Sequence, residues 1–177
     1  MLIVTAFTTP LGWLEIAYDE HYVYRAIFTE SPSQNKQENQ LTQVILQELQ
    51  AYFSNPQHRF QLSLKPQGTS FQQLVWHALL VIPIGRTISY GELAKTLQSS
   101  PRAIGQACKN NPIVLFIPCH RVVGKNDQGG YMGRPEALPY KIHLLNHESK
   151  DSYGPLGRES FSSTEGKRVP ITLTAKN

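Results

Sequence analysis

Ser89-Tyr90-Gly91-Glu92-Leu93-Ala94-Lys95-Thr96-Leu97-Gln98-Ser99-Ser100-Pro101-Arg102-Ala103-Ile104-Gly105-Gln106-Ala107-Cys108-Lys109-Asn110-Asn111 decides how the second half of this chain folds. Ser89 and Glu92 form an S-x-x-E capping box, in which side chain and backbone satisfy each other's free N–H groups at a helix start. Tyr90, Leu93, Ala94 and Leu97 then supply a stripe to bury. After the gap Gln98-Ser99-Ser100, Pro101 stands at a favoured first helical position, and Ile104, Ala107 and Cys108 share one face until Asn111-Pro112 ends the pattern. Two short helices around a tight turn predict a helix-turn-helix; on spacing alone an αα-hairpin that only packs fits equally well.

Upstream, Phe71, Leu74, Val75, Ala78, Leu79 and Ile82 predict another helix, stopped near Pro83 and Gly85. Lys65-Pro66-Gln67-Gly68-Thr69 punctuates the chain before it and reads as a linker. In front of the linker, apolar stretches at Leu2 to Phe7, Trp13 to Tyr18 and Tyr22 to Phe28 predict a β-meander. Leu41, Val44, Ile45, Leu49, Tyr52 and Phe53 predict one helix packed on that sheet. The organisation expected is a unit over residues 1–66, a second over 67–149, and a flexible tail over 150–177, where periodicity is lost apart from a short apolar stretch at Val169 to Leu173.

Composition narrows the classes. With 40% hydrophobic and 17% charged residues in 177, the chain has the balance of a globular protein rather than a disordered one. No apolar run approaches the roughly 20 residues of a membrane span, and Met1 to Pro10 lacks a secretory signal pattern, so no membrane partner and a cytoplasmic location are expected. Residues 1–66 carry four Lys/Arg against six Asp/Glu, whereas 67–149 carry eight against four. The basic unit suits a polyanion, although such an excess is also common on ordinary solvated surfaces. The two cysteines, Cys108 and Cys119, form no C-x-x-C pair, and the six histidines are scattered, with His143 and His147 spaced as a helical i, i+4 pair. Neither a metal nor a cofactor is called for.

Reactive residue types are densest in Ile117-Pro118-Cys119-His120-Arg121-Val122-Val123. A thiol attacks as thiolate, and neighbouring positive charge favours that form. If the segment is extended, successive side chains diverge, so His120 would act on the sulfur through a bridging water. A carboxylate should orient the imidazole, and Glu148 stands at the end of the apolar run Ile142 to Leu145. Taken without context, Cys119 is equally a small buried residue.

This stretch resembles the I-P-C-H-R-V signature of the O6-alkylguanine-DNA alkyltransferases, also called methylated-DNA–protein-cysteine methyltransferases. Further similar pieces follow the family's order: Thr9-Pro10-Leu11-Gly12, Phe71 to Trp76, Ile88-Ser89-Tyr90, Arg102-Ala103-Ile104-Gly105, Asn111-Pro112, Gly129-Gly130-Tyr131 and Leu144 to Glu148. The resemblance implies an α+β fold: an N-terminal ribonuclease-H-like α/β domain and a C-terminal winged-helix-like domain carrying the helix-turn-helix. It implies repair of double-stranded DNA bound through the minor groove, by a monomer. The alkylated guanine would flip out of the stack and pass its O6-alkyl group, irreversibly and once, to Cys119; O4-alkylthymine is a second candidate substrate.

Residue by residue, the resemblance assigns Cys119, His120 and Glu148 as thiol, water-linked base and orienting carboxylate, with Asn111 fixing the loop and Tyr90 donating to the base. Arg102 matches the finger that fills the vacated stack, and Ala103, Gly105 and Arg121 belong with it on the DNA side. Val122, Tyr131 and Met132 correspond to the pocket around the base. Without the motif, Tyr90 and Tyr131 are equally core residues and Arg102 an ordinary phosphate contact. The chain departs from the family pattern in a turn before Arg102 about two residues shorter than usual, in Pro101, and in the longer stretch Arg134-Pro135-Glu136-Ala137-Leu138-Pro139. Two rival classes remain. One is a related module that flags lesions without transfer, against which Cys119 itself argues. The other is a cysteine hydrolase, which needs an oxyanion hole and repeated turnover.

Overall fold

The structure, a computed structural model, describes residues 1–33 and 37–149. The expected tail 150–177 lies outside them. Three antiparallel strands, β1 (Ile3–Thr9), β2 (Gly12–Tyr18) and β3 (Val23–Thr29), form the meander, in the order β1-β2-β3. Their alternation buries Phe7, Leu14, Ile16 and Phe28 on one side. Helix α1 (Gln40–Ser54) packs there through Ile45, Leu49 and Tyr52. Its cap is Asn39, whose side chain accepts from Thr42 N–H while the Thr42 hydroxyl accepts from Asn39 N–H.

Helix α2 (Ser70–Leu80) starts at a capping box between Thr69 and Gln72. Helices α3 (Tyr90–Thr96) and α4 (Pro101–Lys109) follow, capped by Ser89 and Ser100 as their sequences demand. They pack on each other across a turn whose Gln98 takes a positive φ of 51°. Trp76 of α2 is buried and donates its indole N–H to the Ala107 carbonyl at 2.9 Å, tying α2 to α4. Two short parallel strands, β4 (Ile88–Ser89) and β5 (Val122–Val123), bracket this unit, and helix α5 (Leu138–Glu148) closes it. The architecture is mixed α/β, with small sheets and five α-helices among the described residues.

The outer edge of β3 holds the two halves together. Val23 exchanges hydrogen bonds with the linker, accepting from Lys65 N–H at 2.8 Å and donating to Ser63 O at 2.9 Å. Three residues on, Ala26 donates to Pro112 O at 2.9 Å and accepts from Val114 N–H at 3.0 Å. The buried run Ile113–Ile117, immediately before Cys119, is therefore laid along a strand edge that would otherwise carry unpaired backbone groups.

Candidate active site

Pro118 and the two residues around it turn the chain rather than extend it. Cys119 N–H bonds Ile117 O at 2.8 Å and Arg121 N–H bonds Pro118 O at 3.0 Å, so Cys119–Arg121 is a short 3-10 helix. The segment is thus turned, not extended. The proline's fixed φ and missing N–H favour the turn. Through it, Cys119 faces a cavity while His120 and Arg121 both reach Glu148 at the end of α5.

Asn111 holds the sulfur from the other side. Its amide nitrogen donates to Cys119 Sγ at 3.1 Å and to Ile117 O at 2.9 Å, while its oxygen accepts from Ile113 N–H at 3.0 Å. Burial pushes the Cys119 thiol up; the Asn111 hydrogen bond and the Lys141 charge oppose that rise without cancelling it. The resting group is a neutral thiol, and ionisation requires a base.

His120, adjacent to Cys119 in sequence, is fully buried. His120 Nε2 lies 2.9 Å from Glu148 Oε1, which also accepts from Arg121 Nη2 at 2.8 Å and from the Tyr52 hydroxyl at 2.8 Å. Glu148 Oε2 accepts from Arg121 Nε at 2.8 Å. For Glu148, burial acts to raise the pKa, but the neighbouring imidazole and guanidinium outweigh it and hold the carboxyl well below the usual carboxylate range. Burial drives His120 the other way, below the usual imidazole range despite that carboxylate. A neutral imidazole donating through Nε2 leaves Nδ1 as acceptor, and Nδ1 has no partner among the described residues.

The cavity, about 380 Å³, is lined by Tyr90, Gly105, Cys108 and Cys119 and by Gly130–Gly133, which form its lip. Burial raises the Tyr90 phenol above its ordinary value, with the two thiols adding to the effect, so it stays protonated as a donor. Tyr131 is buried with its hydroxyl unpartnered among the described residues, and Met132 forms part of the lip. Around it Gly129, Met132 and Gly133 have φ of 66°, 52° and 66°, a conformation strained only for Met132.

Three expected DNA-side residues sit on α4, with Arg102 exposed at its first turn, Ala103 donating its N–H to the Ser100 cap and Gly105 at the cavity wall. Arg121 does not join them. It is 8% exposed, and Nε, Nη1 and Nη2 are all engaged by Glu148 and the Ile82 carbonyl, which corrects the expected DNA contact. Val122 also departs from expectation. It is fully buried and absent from the cavity wall; its N–H bonds Cys119 O, and its carbonyl takes the Lys141 ammonium at 2.6 Å.

Lys141 and Tyr52 are the residues that sequence reasoning missed. The Lys141 ammonium also donates to Gly130 O at 2.9 Å and lies 5.7 Å from the Tyr90 ring centroid, while burial lowers its pKa to about 8. The 141, 144, 145, 148 spacing places it on the buried face of α5, a signal available but unread. Tyr52 falls at a core position of α1, and nothing local in its sequence announces the hydroxyl's partner 96 residues away. His147 bonds the Tyr52 carbonyl at 2.8 Å, which accounts for one member of the spaced pair.

Comparison with known proteins adds independent weight. Residues 70–150 match the model of the 6-O-methylguanine DNA methyltransferase DNA-binding domain. The constitutive methylated-DNA–protein-cysteine methyltransferase of Bacillus subtilis is 38% identical over 157 residues, covering 81% of this chain and 93% of the relative. Its Methanosarcina mazei counterpart is 37% identical over 151 residues, covering 81% and 94%. Among solved structures, the O6-methylguanine methyltransferase of Mycobacterium tuberculosis superposes with a TM-score of 0.71 at 33% identity, over 84% of this chain and 93% of that one. The same organism's OGT in complex with DNA gives 0.70 at 34%, over 82% and 92%. With a reactive-type cysteine, its relay and near full-length relatives all in agreement, this chain belongs to the methylated-DNA–protein-cysteine methyltransferase family.

Proposed function

We propose that this protein reverses DNA alkylation directly, moving the alkyl group of O6-alkylguanine onto Cys119 in a single, irreversible turnover. The observation that carries the reading is the position of the Cys119 sulfur: it faces a cavity of about 380 Å³, within the usual range for a small-molecule site, with a buried His120–Glu148 pair behind it. A base in duplex DNA cannot enter such a cavity, so the damaged nucleotide turns out of the stack, at a cost of a few kcal/mol. Arg102 at the exposed start of α4 fills the space left behind, and the helix-turn-helix meets the minor groove of double-stranded DNA as a monomer. Ala103 and Gly105 lie against the backbone there. O4-alkylthymine is a second substrate of the same site.

In the reaction, His120 Nδ1 takes the thiol proton through water, and the sulfur's electron pair forms the new S–C bond. The O6–C bond breaks, its electrons pass to the guanine, and the Tyr90 hydroxyl supplies the departing base with a proton. The protonated His120 then gives its proton up, through solvent water, to the Tyr90 phenolate, so that in net the thiol proton is the one the guanine gains. Asn111 stabilises the developing thiolate, and Glu148 fixes the imidazole tautomer and orientation. Tyr131 and Met132 border the bound base; Val122 supports the wall from behind. Cys108 borders the same cavity, but burial raises its thiol and holds it protonated, while the Asn111 amide serves Cys119. A thioether is not hydrolysed by any of these groups, so the protein is consumed.

The domain reading follows the same lines: residues 1–66 as a ribonuclease-H-like unit and 67–149 as a winged-helix-like unit. The meander with one helix supports the first, and the helix pair beside the parallel β4–β5 strands supports the second.

Duplex DNA carrying O6-[³H-methyl]guanine tests the function. One equivalent of label should move to the protein, with the adduct on Cys119 by mass spectrometry. Cys119→Ala should bind DNA and take up none. Binding without transfer by the native protein would favour a lesion-flagging module, repeated turnover of an ester would favour a hydrolase, and transfer by Cys119→Ala would refute the assignment.

A further inference from the structure

The stretch Arg134–Tyr140, which no step of the reaction uses, joins the cavity lip to the N-terminal sheet. Arg134 directly follows Gly133, the last residue of the lip, and its backbone N–H bonds Tyr131 O at 3.2 Å. Its guanidinium Nη2 donates to the Phe28 carbonyl at 3.2 Å, near the end of β3. Six residues on, the Tyr140 ring stacks on the Phe28 ring, with centroids 4.6 Å apart and planes 9° from parallel. Between them, the short 3-10 helix Pro135–Ala137 buries Ala137.

The lip requires such a hold. Met132, a non-glycine residue, stands in the left-handed region beside Gly133, and for a side-chain-bearing residue that conformation persists only where the surroundings over-determine it. One constraint acts before it, the Lys141 ammonium on Gly130 O. Arg134 and Tyr140 supply the other from behind. Phe28, Ser31, Arg134 and Tyr140 also help to line a second cleft of about 310 Å³.

We infer that Arg134, with Tyr140 stacked on Phe28, is a positioning residue for alkyl-group selection: it ties the lip Tyr131–Gly133 to β3 and thereby limits the size of the alkyl group the cavity admits. This rests on the proposed alkyl transfer. A methyl group fits with the lip held, whereas a benzyl group needs the lip to yield, so releasing the clamp favours the larger group relative to the smaller.

Single-turnover rates of the full-length protein on one duplex containing either O6-methylguanine or O6-benzylguanine give the test. In Arg134→Met and in Tyr140→Leu the benzyl-to-methyl rate ratio should rise about fivefold or more, the scale of one lost hydrogen bond or stacked pair. Arg134→Lys, which keeps a donor for Phe28 O, should hold the ratio within about twofold of the native value, as a benign surface change would. An unchanged ratio in Arg134→Met and Tyr140→Leu, or a parallel fall in both rates that Arg134→Lys shares, overturns the assignment. Failure of the native protein to accept either group overturns the proposed function, and this inference with it.

Discussion

The two walls of the cavity are built on opposite plans. On the acceptor side, Cys119, His120, Arg121 and Glu148 are all buried, and Glu148 alone accepts from three different side chains. On the lip side, Gly129–Gly133 is partly exposed apart from Tyr131, contains three positive φ values, and is held mainly from its ends. The first wall fixes a proton acceptor to within the tolerance of a hydrogen bond, where a small misplacement is costly. The second, in the proposed reaction, admits the base, and it carries a strained residue at Met132. Damage to the first wall should therefore cost both stability and reaction, while damage to the second should cost reaction with little loss of stability.

The harshest break is Glu148→Gln, which leaves Arg121 and His120 without their carboxylate. Urea unfolding should show a loss of about 3–5 kcal/mol, as for other broken buried ion pairs. Transfer should fall about 100-fold or more with the loss of an oriented base. The acid side of the stability curve sharpens the same point. His120 is held below its ordinary pKa, so its contribution is present above pH ~6.5 and erodes as pH falls beneath that. Glu148 is likewise depressed, so its contribution is present above pH ~4.3 and is lost as pH drops through its lower folded value. The native protein should lose stability in both ranges, whereas Glu148→Gln should lack the second; an identical acid profile for the two would contradict the ion pair.

Gly133→Ala tests the lip. Its φ of 66° disfavours any side chain by about 1–2 kcal/mol, and a Cβ would meet the flexible Lys109 side chain at 2.7 Å. Methyl transfer should slow about tenfold, the rate equivalent of that strain, with the melting temperature shifted by less than in Glu148→Gln. A melting loss as large as that variant's would erase the contrast between the walls. The mildest change is Tyr52→Phe, which deletes one of the donors to Glu148 for about 1 kcal/mol of stability. The carboxylate then becomes a stronger acceptor for His120 Nε2–H, so His120 protonates more readily and the acid limb of the transfer profile should move to higher pH. A limb that stays in place would confine Tyr52 to packing.

The difference between the walls also explains what the sequence made legible. Helix starts at Ser89 and Ser100 are local events, written in residues three apart, and they appear where the pattern puts them. Cys119 and His120 were readable because reactive residue types cluster around them, Asn111 and Glu148 through the family resemblance, and the structure brings the four together. Arg121 was misread because a basic residue beside a reactive cysteine looks solvent-facing until the turn at Pro118 is known. The turn itself is local, but the groups that take up the guanidinium, Glu148 and the Ile82 carbonyl, lie 27 and 39 residues away. Lys141, Tyr52 and the Arg134–Phe28 link are pairings between distant segments, and no local periodicity encodes which carbonyl or carboxylate a long side chain will find.

The backbone bonds between Ala26 and the Pro112–Val114 segment have a consequence for assembly of the molecule. They close a loop of more than eighty residues, the kind of non-local pairing that forms late because its closure entropy must be met before any reward arrives. During synthesis the meander emerges first and waits as an open edge. Until α5, the last described helix, packs in its turn, His120 and Arg121 lack their shared carboxylate. The chemistry is thus armed by completion of the fold, and a half-made chain is kept from wasting its one reaction.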